Sequence, residues 1–221
     1  MTEELKAQGF VCSENRVAML MHLHQIKARI MRKFRRTGQG TTKIVYANDH
    51  VRRQFKVPTP NRVWVTDLTY IWTREGSIYL VAVLDLHSRR IVGWALGPQP
   101  SAALTKQALI QAIWRRRPEP GLVIHSDRGS QFVSYEYRDF VTSQGFVPSM
   151  ARFGNCYDNA VMESFFHTLK MEHIYWEHYQ TREQAQQSVF EYIELFYNCW
   201  RRHSTLGYKS PNEFEKVGGN A

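Results

Sequence analysis

Three carboxylates in the sequence occupy positions where metal-assisted phosphoryl chemistry could take place. Asp67 lies in the otherwise uncharged stretch 63–71, Asp127 directly follows a short predicted strand, and Glu163 lies one turn into a predicted helix. A carboxylate inside an apolar strand is costly to bury unless a cation neutralises it. Mg²⁺ is a hard cation that prefers oxygen ligands and keeps water molecules that can act as nucleophiles. These three acids are therefore candidate Mg²⁺ ligands.

The predicted elements that carry these acids alternate between strands and helices. β-Branched and aromatic residues fill the stretch 63–72, and two further strands are predicted over 78–84 and 90–96. The short loops between these strands indicate an antiparallel meander. The chain continues with a helix that Ser101 caps, a strand over 121–126, a helix over 134–144 and a strand over 146–149.

The resulting order, βββαβαβ followed by helices, predicts an α/β fold with a mixed sheet. In such a sheet the first and fourth strands can lie side by side, which would bring Asp67 and Asp127 together at one edge of the core. Asp158 is predicted to cap the helix that carries Glu163, with a role as a ligand as the alternative. Asp85, at the end of the second strand, is interpreted as a turn former, with an indirect contact to metal as the alternative.

Two more helices are predicted towards the C-terminus. Thr181-Arg-Glu-Gln184 forms a capping box before a helix that extends to about Trp200, and Ser210-Pro-Asn-Glu213 repeats the same chemistry. Tyr192, Phe196 and Trp200 recur every four residues along the first of these helices. That spacing is typical of a stripe that faces the core, and a base-stacking surface is the alternative.

Positive charge is concentrated in the N-terminal part of the chain. Residues 1–62 contain 13 Lys and Arg against 4 Asp and Glu, whereas residues 63–221 contain 16 of each kind. The whole net charge of +9 therefore lies in the first segment. Such asymmetry is typical of a basic arm that contacts nucleic acid, with a solvated basic tail as the alternative. The cationic run 115–117 is interpreted as a solvated helix end.

The basic segment is predicted to contain two short helices. One covers residues 3–8 and stops at Gly9, and Ser13 caps the other. Together they are similar to half of a helix-turn-helix, and a helical piece that packs on the main domain is an equal alternative. We therefore divide the chain into a basic helical arm over residues 1–36, a linker over residues 37–60 and a main domain after it.

Composition excludes several protein classes. The longest apolar run, 78–84, has seven residues, whereas a helix needs about 20 to cross a bilayer. The N-terminus lacks the basic and apolar regions of a secretory signal, so a cytoplasmic location is expected. Cys12, Cys156 and Cys199 include no CxxC pair, so they are expected to be reduced and structural.

Several sequence motifs around the acids resemble the integrase core of insertion-sequence-3 transposases. They are Trp64-Val-Thr-Asp-Leu-Thr-Tyr-Ile71, the stretch 79–94, His125-Ser-Asp-Arg-Gly-Ser-Gln-Phe132 and Gly154-Asn-Cys-Tyr-Asp-Asn-Ala-Val-Met-Glu-Ser-Phe-Phe166. The tail 197–211 continues the resemblance, which covers about residues 55–216. The three acids, with 35 residues between Asp127 and Glu163, are also similar to the catalytic triad of retroviral integrases and DDE transposases.

The resemblance implies both a fold and an activity. The fold would be ribonuclease-H-like, with the catalytic core over residues 61–175 and its C-terminal helices over residues 176–221. The activity would be that of a DNA transposase catalytic subunit, which cleaves phosphodiesters at element ends and transfers the strand into target DNA. Asp67, Asp127 and Glu163 would be the catalytic residues and the ligands of two Mg²⁺ ions, for which Mn²⁺ can substitute.

The resemblance also implies partners. Members of this family usually have a longer helical region before the core and obtain a helix-turn-helix from a separate reading frame. We therefore expect DNA, the first-frame product and further copies of the chain as partners, and no membrane. A catalytically silent DNA-binding fragment or inhibitor, and a ribonuclease-H-like nuclease that cuts without joining, are the alternatives.

Side chains near the acids and in the arm are candidate DNA contacts. Asn155 and Asn159 could contact phosphate or shape the loop before Glu163. His125, on the same side of its strand as Asp127, could hydrogen-bond to the site or be a satisfied core histidine. The predicted nucleic-acid contacts are Arg29, Arg32, Lys33, Arg35, Arg36, Arg128, Asn155, Asn159 and Lys170.

Overall fold

The computed structural model describes residues 1–27, 46–152 and 159–218. The chain divides into two compact units, Met1–Gly38 and Gln39–Ala221. In the first unit, α1 spans Thr2–Ala7 and α2 spans Glu14–Leu23, and Ser13 Oγ accepts the N–H of Arg16 at 3.2 Å. These are the two short helices that the sequence predicts. The finer domain boundaries of the sequence analysis stay predictions.

A mixed five-stranded sheet forms the centre of the second unit. The strands are β1 (Val63–Ile71), β2 (Ile78–Asp85), β3 (Ile91–Gly97), β4 (Val123–Ser126) and β5 (Val147–Met150). Their spatial order is β3-β2-β1-β4-β5. The first three strands are antiparallel neighbours, as the predicted meander requires, while β4 runs parallel to both β1 and β5.

Helices cover both faces of this sheet. They are α3 (Ala102–Arg116), α4 (Ser130–Val133), α5 (Tyr135–Ser143), α6 (Ala160–Glu172), α7 (Arg182–Phe190) and α8 (Pro211–Gly218). One apolar cluster joins Trp64 and Val81 of the sheet to α3 and α5. The other joins Val65 and Leu80 to α6 and α7. Alternate residues of each strand therefore face opposite helical layers, so each strand position determines which layer a side chain meets.

The predicted helix caps are confirmed where they depend on local chemistry. Ser101 Oγ accepts the N–H of Leu104 at 3.2 Å, and Thr181 forms a complete capping box with Gln184. The first residue of α6 is Ala160, however, and its N-cap is Asn159. The predicted cap, Asp158, lies outside the described residues.

The prediction of one helix from Thr181 to about Trp200 is wrong for the second half of that stretch. The α-helix ends at Phe190, and Glu191–Tyr197 continues as a π-helix. The next residue, Asn198, is buried and pairs its amide with both the N–H and the C=O of Ile91 on β3, at 2.9 and 3.0 Å. This long-range pairing fixes the end of the helix against the sheet.

The aromatic stripe of this helix is also split. Tyr192 is 4% exposed and belongs to the core, as the favoured interpretation predicts, whereas Phe196 is 44% and Trp200 is 74% exposed. A π-helix has more residues per turn than an α-helix, so positions spaced by four do not stay on one line. Only the first residue of the stripe therefore faces the core.

Part of the predicted linker contacts the sheet. The described residues of the stretch 37–60 begin at Tyr46, and Val51 among them is 4% exposed within the core cluster. Asn48 O accepts the N–H of Met150 at 3.3 Å. Residues 46–57 are therefore attached to the sheet of the second unit through β5 and the core.

The interpretation of residues 115–117 as a solvated helix end is wrong for Arg116. Its guanidinium makes two 2.8 Å hydrogen bonds to Glu215 of α8, and its Nε donates to Asn61 Oδ1 at 3.0 Å. The same guanidinium lies 3.6 Å from Asp85. Burial opposes ionisation of Glu215, but hydrogen bonds from Arg116 and Ser88 hold its pKa below the usual range. Arg116 thus joins α3, α8 and the end of β2.

Replacing Arg116 by Met is expected to lower the free energy of unfolding by about 2 kcal/mol, because Glu215 and Asp85 would lose their buried counter-charge. Chemical denaturation followed by circular dichroism measures the change. Arg117→Met, at an exposed neighbour, is the control and should change stability by less than about 0.5 kcal/mol. Equal stability of the two variants would show that the Arg116 pairs contribute nothing.

Candidate active site

Asp67 and Asp127 lie side by side where β1 and β4 run parallel. Thr66 pairs with Ser126 in the register of these strands, so the two aspartates are the next residues along each chain. Neighbouring strands are about 4.8 Å apart. Alternation along β1 places Asp67 on the same face as Val65, in the cluster that α6 covers. Strand register therefore brings these two acids together on the face beneath α6.

Backbone N–H groups orient both carboxylates. Asp67 is only 2% exposed, and its Oδ1 accepts the N–H of Leu68 at 2.7 Å. Asp127 is half-buried, and its Oδ1 accepts the N–H of Gly129 at 2.9 Å in the turn that follows β4. Each acid is thus fixed by its own segment rather than carried on a long surface loop.

Glu163 lies on the first turn of α6 and is half-buried. Met162 and Phe165 bury this helix in the core, and the helix packs against β1. At its N-cap, Asn159 donates from Nδ2 to Thr66 O at 3.4 Å. Because Thr66 directly precedes Asp67, this hydrogen bond anchors the start of α6 beside the first acid.

All three acids have the oxygen ligands that a hard divalent cation prefers. Two of them, Asp67 and Asp127, also lie next to each other. Carboxylate oxygens are preferred Mg²⁺ ligands, and the pair of aspartates converges at one strand edge. Within residues 1–27, 46–152 and 159–218, no three His, Cys, Asp or Glu side chains are close enough to hold one metal ion together. Glu163 is thus not gathered with both aspartates, as expected for three carboxylates that repel one another.

Asp85 has a structural role at the end of β2. It is fully buried and accepts the N–H groups of Asn61 at 2.8 Å and His87 at 2.9 Å. Burial raises the pKa of Asp85, and these two hydrogen bonds counteract the rise. In the register of β1 and β2, Asp85 pairs with Trp64, which lies three residues before Asp67 on β1. The turn-former interpretation is therefore confirmed.

His125 is fully buried, and its ring has a hydrogen-bond partner within the protein. Its Nδ1 lies 2.9 Å from Ser149 Oγ on β5 and 4.0 Å from Asp49 Oδ1. Ser149 Oγ also accepts the N–H of His50 at 2.9 Å. These contacts favour the core-histidine interpretation. Asp49 was not among the predicted site residues, because it lies in the predicted linker and no local pattern distinguishes it.

Three of the predicted DNA contacts lie among the described residues: Arg128, Asn159 and Lys170. Arg128 Nε donates to Ala151 O at 2.8 Å, and its guanidinium lies 4.1 Å from the ring centre of Tyr46. Lys170 Nζ lies 4.7 Å from the ring centre of Tyr70. Asn159 is 4% exposed and stands at the N-cap position of α6, where its side chain makes no capping hydrogen bond. The other predicted contacts fall outside the described residues: Arg29, Arg32, Lys33, Arg35, Arg36 and Asn155.

Family comparisons match most of the second unit. Two family profiles, both described as integrase core domain, match residues 57–156 and 163–217. The transposase for insertion sequence element IS904 of Lactococcus lactis is 42% identical over 97% of this chain and 85% of its own length. Transposase InsF for insertion sequence IS3A of Escherichia coli is 40% identical over 97% of this chain and 75% of its own length.

Solved structures share the fold at low identity. A chain of the simian T-cell lymphotropic virus intasome in complex with PP2A regulatory subunit B56 gamma has a TM-score of 0.61 at 16% identity, over 79% of this chain and 60% of that chain. The HTLV-2 integrase catalytic core domain in complex with magnesium has a TM-score of 0.50 at 18% identity, over 70% of this chain and 96% of that chain. The predicted ribonuclease-H-like α/β fold is therefore confirmed.

No described helix has the length and apolar character needed to span a membrane.

Proposed function

The chain belongs to the IS3 family of insertion-sequence transposases with an integrase core domain, and we propose that Asp67, Asp127 and Glu163 are its catalytic carboxylates. The observation that carries this proposal is the register of β1 and β4, which sets two acids side by side on the face that α6 covers. Such a core is of the DDE type of polynucleotidyl transferases. The reaction proposed is cleavage at an element end followed by joining of that end to target DNA.

The proposed reaction needs little from the protein beyond positioning and charge. Water attacks a phosphodiester at the element end and releases a 3′-hydroxyl. This hydroxyl then attacks a phosphodiester of the target, and the 3′-oxygen of the target strand leaves as a hydroxyl. Two bound Mg²⁺ ions, or Mn²⁺ in their place, would supply Lewis-acid stabilisation and lower the pKa of the attacking water. The magnesium in the HTLV-2 integrase core supports this choice of metal.

The residues of this chain would hold those ions and orient the DNA. Asp67 and Asp127 supply carboxylates whose directions the N–H groups of Leu68 and Gly129 fix. Glu163 completes the set when cations offset the repulsion among three carboxylates. The anchor from Asn159 to Thr66 keeps the first turn of α6 within reach of that position.

The proposed partners follow from the same chemistry. DNA at element ends and at the target is the substrate, and further copies of the chain would assemble on it, as the simian T-cell lymphotropic virus intasome suggests. We also propose the first-frame product, with a helix-turn-helix, as the partner that recognises the terminal repeats. The cytoplasm, where bacterial DNA lies, is the proposed location.

A two-step assay tests the function. A labelled duplex with the inverted repeat that flanks the gene is incubated with the chain, the first-frame product and Mg²⁺, and a supercoiled plasmid is the target. We expect 3′-end cleavage and labelled plasmid, both lost in EDTA. Cleavage without joining would indicate a nuclease, and binding without either product would indicate a silent DNA-binding protein.

The basic arm is expected to supply a large part of the non-specific DNA affinity. Deleting residues 1–38, the first compact unit, should weaken binding and reduce the slope of log K against log salt by about 0.9 for each lost phosphate contact. Deleting only residues 1–12, which contain one Lys and two Glu, is the control and should leave the slope unchanged. An equal slope for both deletions would show that the arm does not contact DNA.

A further inference from the structure

A basic cavity opens beside α6, apart from the two aspartates. Its volume is about 1010 Å³, and three separate segments contribute to its walls: residues 53–56, the α6 face 160–168 and residues between 197 and 208. Arg89 completes the lining. The described residues that line the cavity include five Lys and Arg but no Asp or Glu: Arg53, Lys56, Arg89, Arg201 and Arg202.

Arg89 is a half-buried cation of this cavity whose hydrogen bonding is incomplete. Its Nη2 donates to Phe55 O at 2.8 Å, but its Nη1 is buried and has no acceptor among the described residues. Burial lowers the pKa of Arg89, and the attraction of Tyr197 and Asp85 only partly offsets this. An arginine stays charged in proteins, so a buried guanidinium N–H without an acceptor is costly. An anionic ligand would supply that acceptor.

His203 adds a second buried polar atom to the same cavity. Its Nε2 has no hydrogen-bond partner in the described part of the chain. Burial lowers the pKa of His203 to about 4, and the charges of Arg201 and Arg89 act in the same direction. Of the neighbouring cations, Arg201 is already paired with Glu172 at 2.8 Å.

Backbone conformation holds this cavity in a defined shape. Arg53, Arg89 and Tyr208 all have φ near +60°, which is unusual for residues other than glycine. The hydroxyl of Tyr197 donates to Arg89 O at 3.2 Å and supports one of these conformations. Such conformations persist only where surrounding contacts enforce them, and they cluster at binding sites.

We propose that this cavity binds backbone phosphates of the DNA strand that enters the active site, with Arg89 as the phosphate ligand in its wall and Lys56 at the rim. The proposal deepens the proposed function and rests on it. Ser164 of the cavity wall directly follows Glu163 on α6, so a bound strand could contact the cavity and the acids together. The cavity is also much larger than a single phosphate ion, which favours a polymer over a free anion.

DNA-binding measurements on the full chain in EDTA test this site without the catalytic reaction. The probe is a labelled duplex of arbitrary sequence, and the variants are Arg89→Gln and Lys56→Glu. Arg89→Gln should weaken binding about tenfold, the expected effect of one charged hydrogen bond, and reduce the salt slope by about 0.9. Lys56→Glu, at an exposed residue, decides the question if Arg89→Gln does not fold.

Lys216→Glu is the matched control, because it changes the net charge equally at an exposed residue outside the cavity. Lys56→Glu should weaken binding at least about fivefold more than this control. If wild-type chain binds DNA and both cavity variants bind like the control, the phosphate site is wrong while the proposed function stands. If wild-type chain does not bind DNA, the proposed function itself fails.

Inorganic pyrophosphate distinguishes a free anion from a DNA strand. Thermal unfolding is measured with increasing pyrophosphate for the wild type, Lys56→Glu and the Lys216→Glu control. Pyrophosphate could stabilise the wild type but not Lys56→Glu, while Lys56→Glu keeps its DNA affinity. That result would identify a free-anion site and overturn the proposal. Loss of DNA affinity in the same variant supports it.

Discussion

Asp67→Asn and Asp127→Asn are each expected to lose at least about a thousandfold in both cleavage and joining, the scale of loss seen when one member of a catalytic group is removed. Both steps should be lost together, because one set of carboxylates serves the same kind of transition state twice. Glu163→Gln should behave in the same way. Initial rates with a labelled element end and with a pre-cleaved end measure the two steps separately.

Stability measurements separate this effect from misfolding. Asp67 is buried next to Asp127, so removal of one negative charge relieves repulsion and should leave the melting temperature unchanged or raise it. Asp139→Asn, on the exposed side of α5, is the control and should retain full activity. Full activity in Asp127→Asn would contradict the assignment of the site.

Gly93→Ala is expected to have the largest effect on stability, at least about 3 kcal/mol. A Cβ at this position of β3 would lie 2.7 Å from the Cβ of Ala112 and would also overlap the backbone oxygen of Ala108. Both atoms belong to α3, so the whole helix would have to move away from the sheet. Chemical denaturation with circular dichroism should show the loss directly.

Gly218→Ala provides the control for this substitution. A Cβ at Gly218 would meet no atom of the described chain within 4 Å, and alanine favours a helix. That variant should therefore be neutral or slightly stabilised. If Gly93→Ala has the same stability as Gly218→Ala, then β3 and α3 do not pack as closely as the structure indicates.

Sequence patterns predicted the features that depend on neighbouring residues. Ser101 and Thr181 cap their helices because a hydroxyl reaches an N–H three residues later in any context. The order of elements also allowed the first and fourth strands to lie side by side, as β1 and β4 do, so the meeting of Asp67 and Asp127 could be predicted. In each case the information lies within a short window or in the order of elements.

Features that join distant segments could not be predicted in this way. Asn198 ends a π-helix because it pairs with Ile91, more than a hundred residues earlier. Arg116 is paired because α8 brings Glu215 to it, so a local view of residues 115–117 suggested a solvated end. The basic cavity likewise needs residues from four parts of the chain.

The position of Glu163 shows a second limit. Its spacing from Asp127 matched the family pattern, but spacing does not determine how far a helix turn lies from a strand edge. Among the described residues the three acids do not form a metal-holding group. Repulsion among carboxylates and the presence of cations determine that distance, and neither can be read from sequence.

Anomalous X-ray scattering from a crystal of the chain with Mn²⁺ is the most direct test of the central claim, that the paired aspartates hold a divalent metal. We expect a manganese peak between the carboxylates of Asp67 and Asp127, about 2.1 Å from an oxygen of each, as for a small hard cation. An Asp127→Asn crystal under the same conditions should lose the peak. A strong manganese peak elsewhere, with none between these two aspartates, would contradict the account.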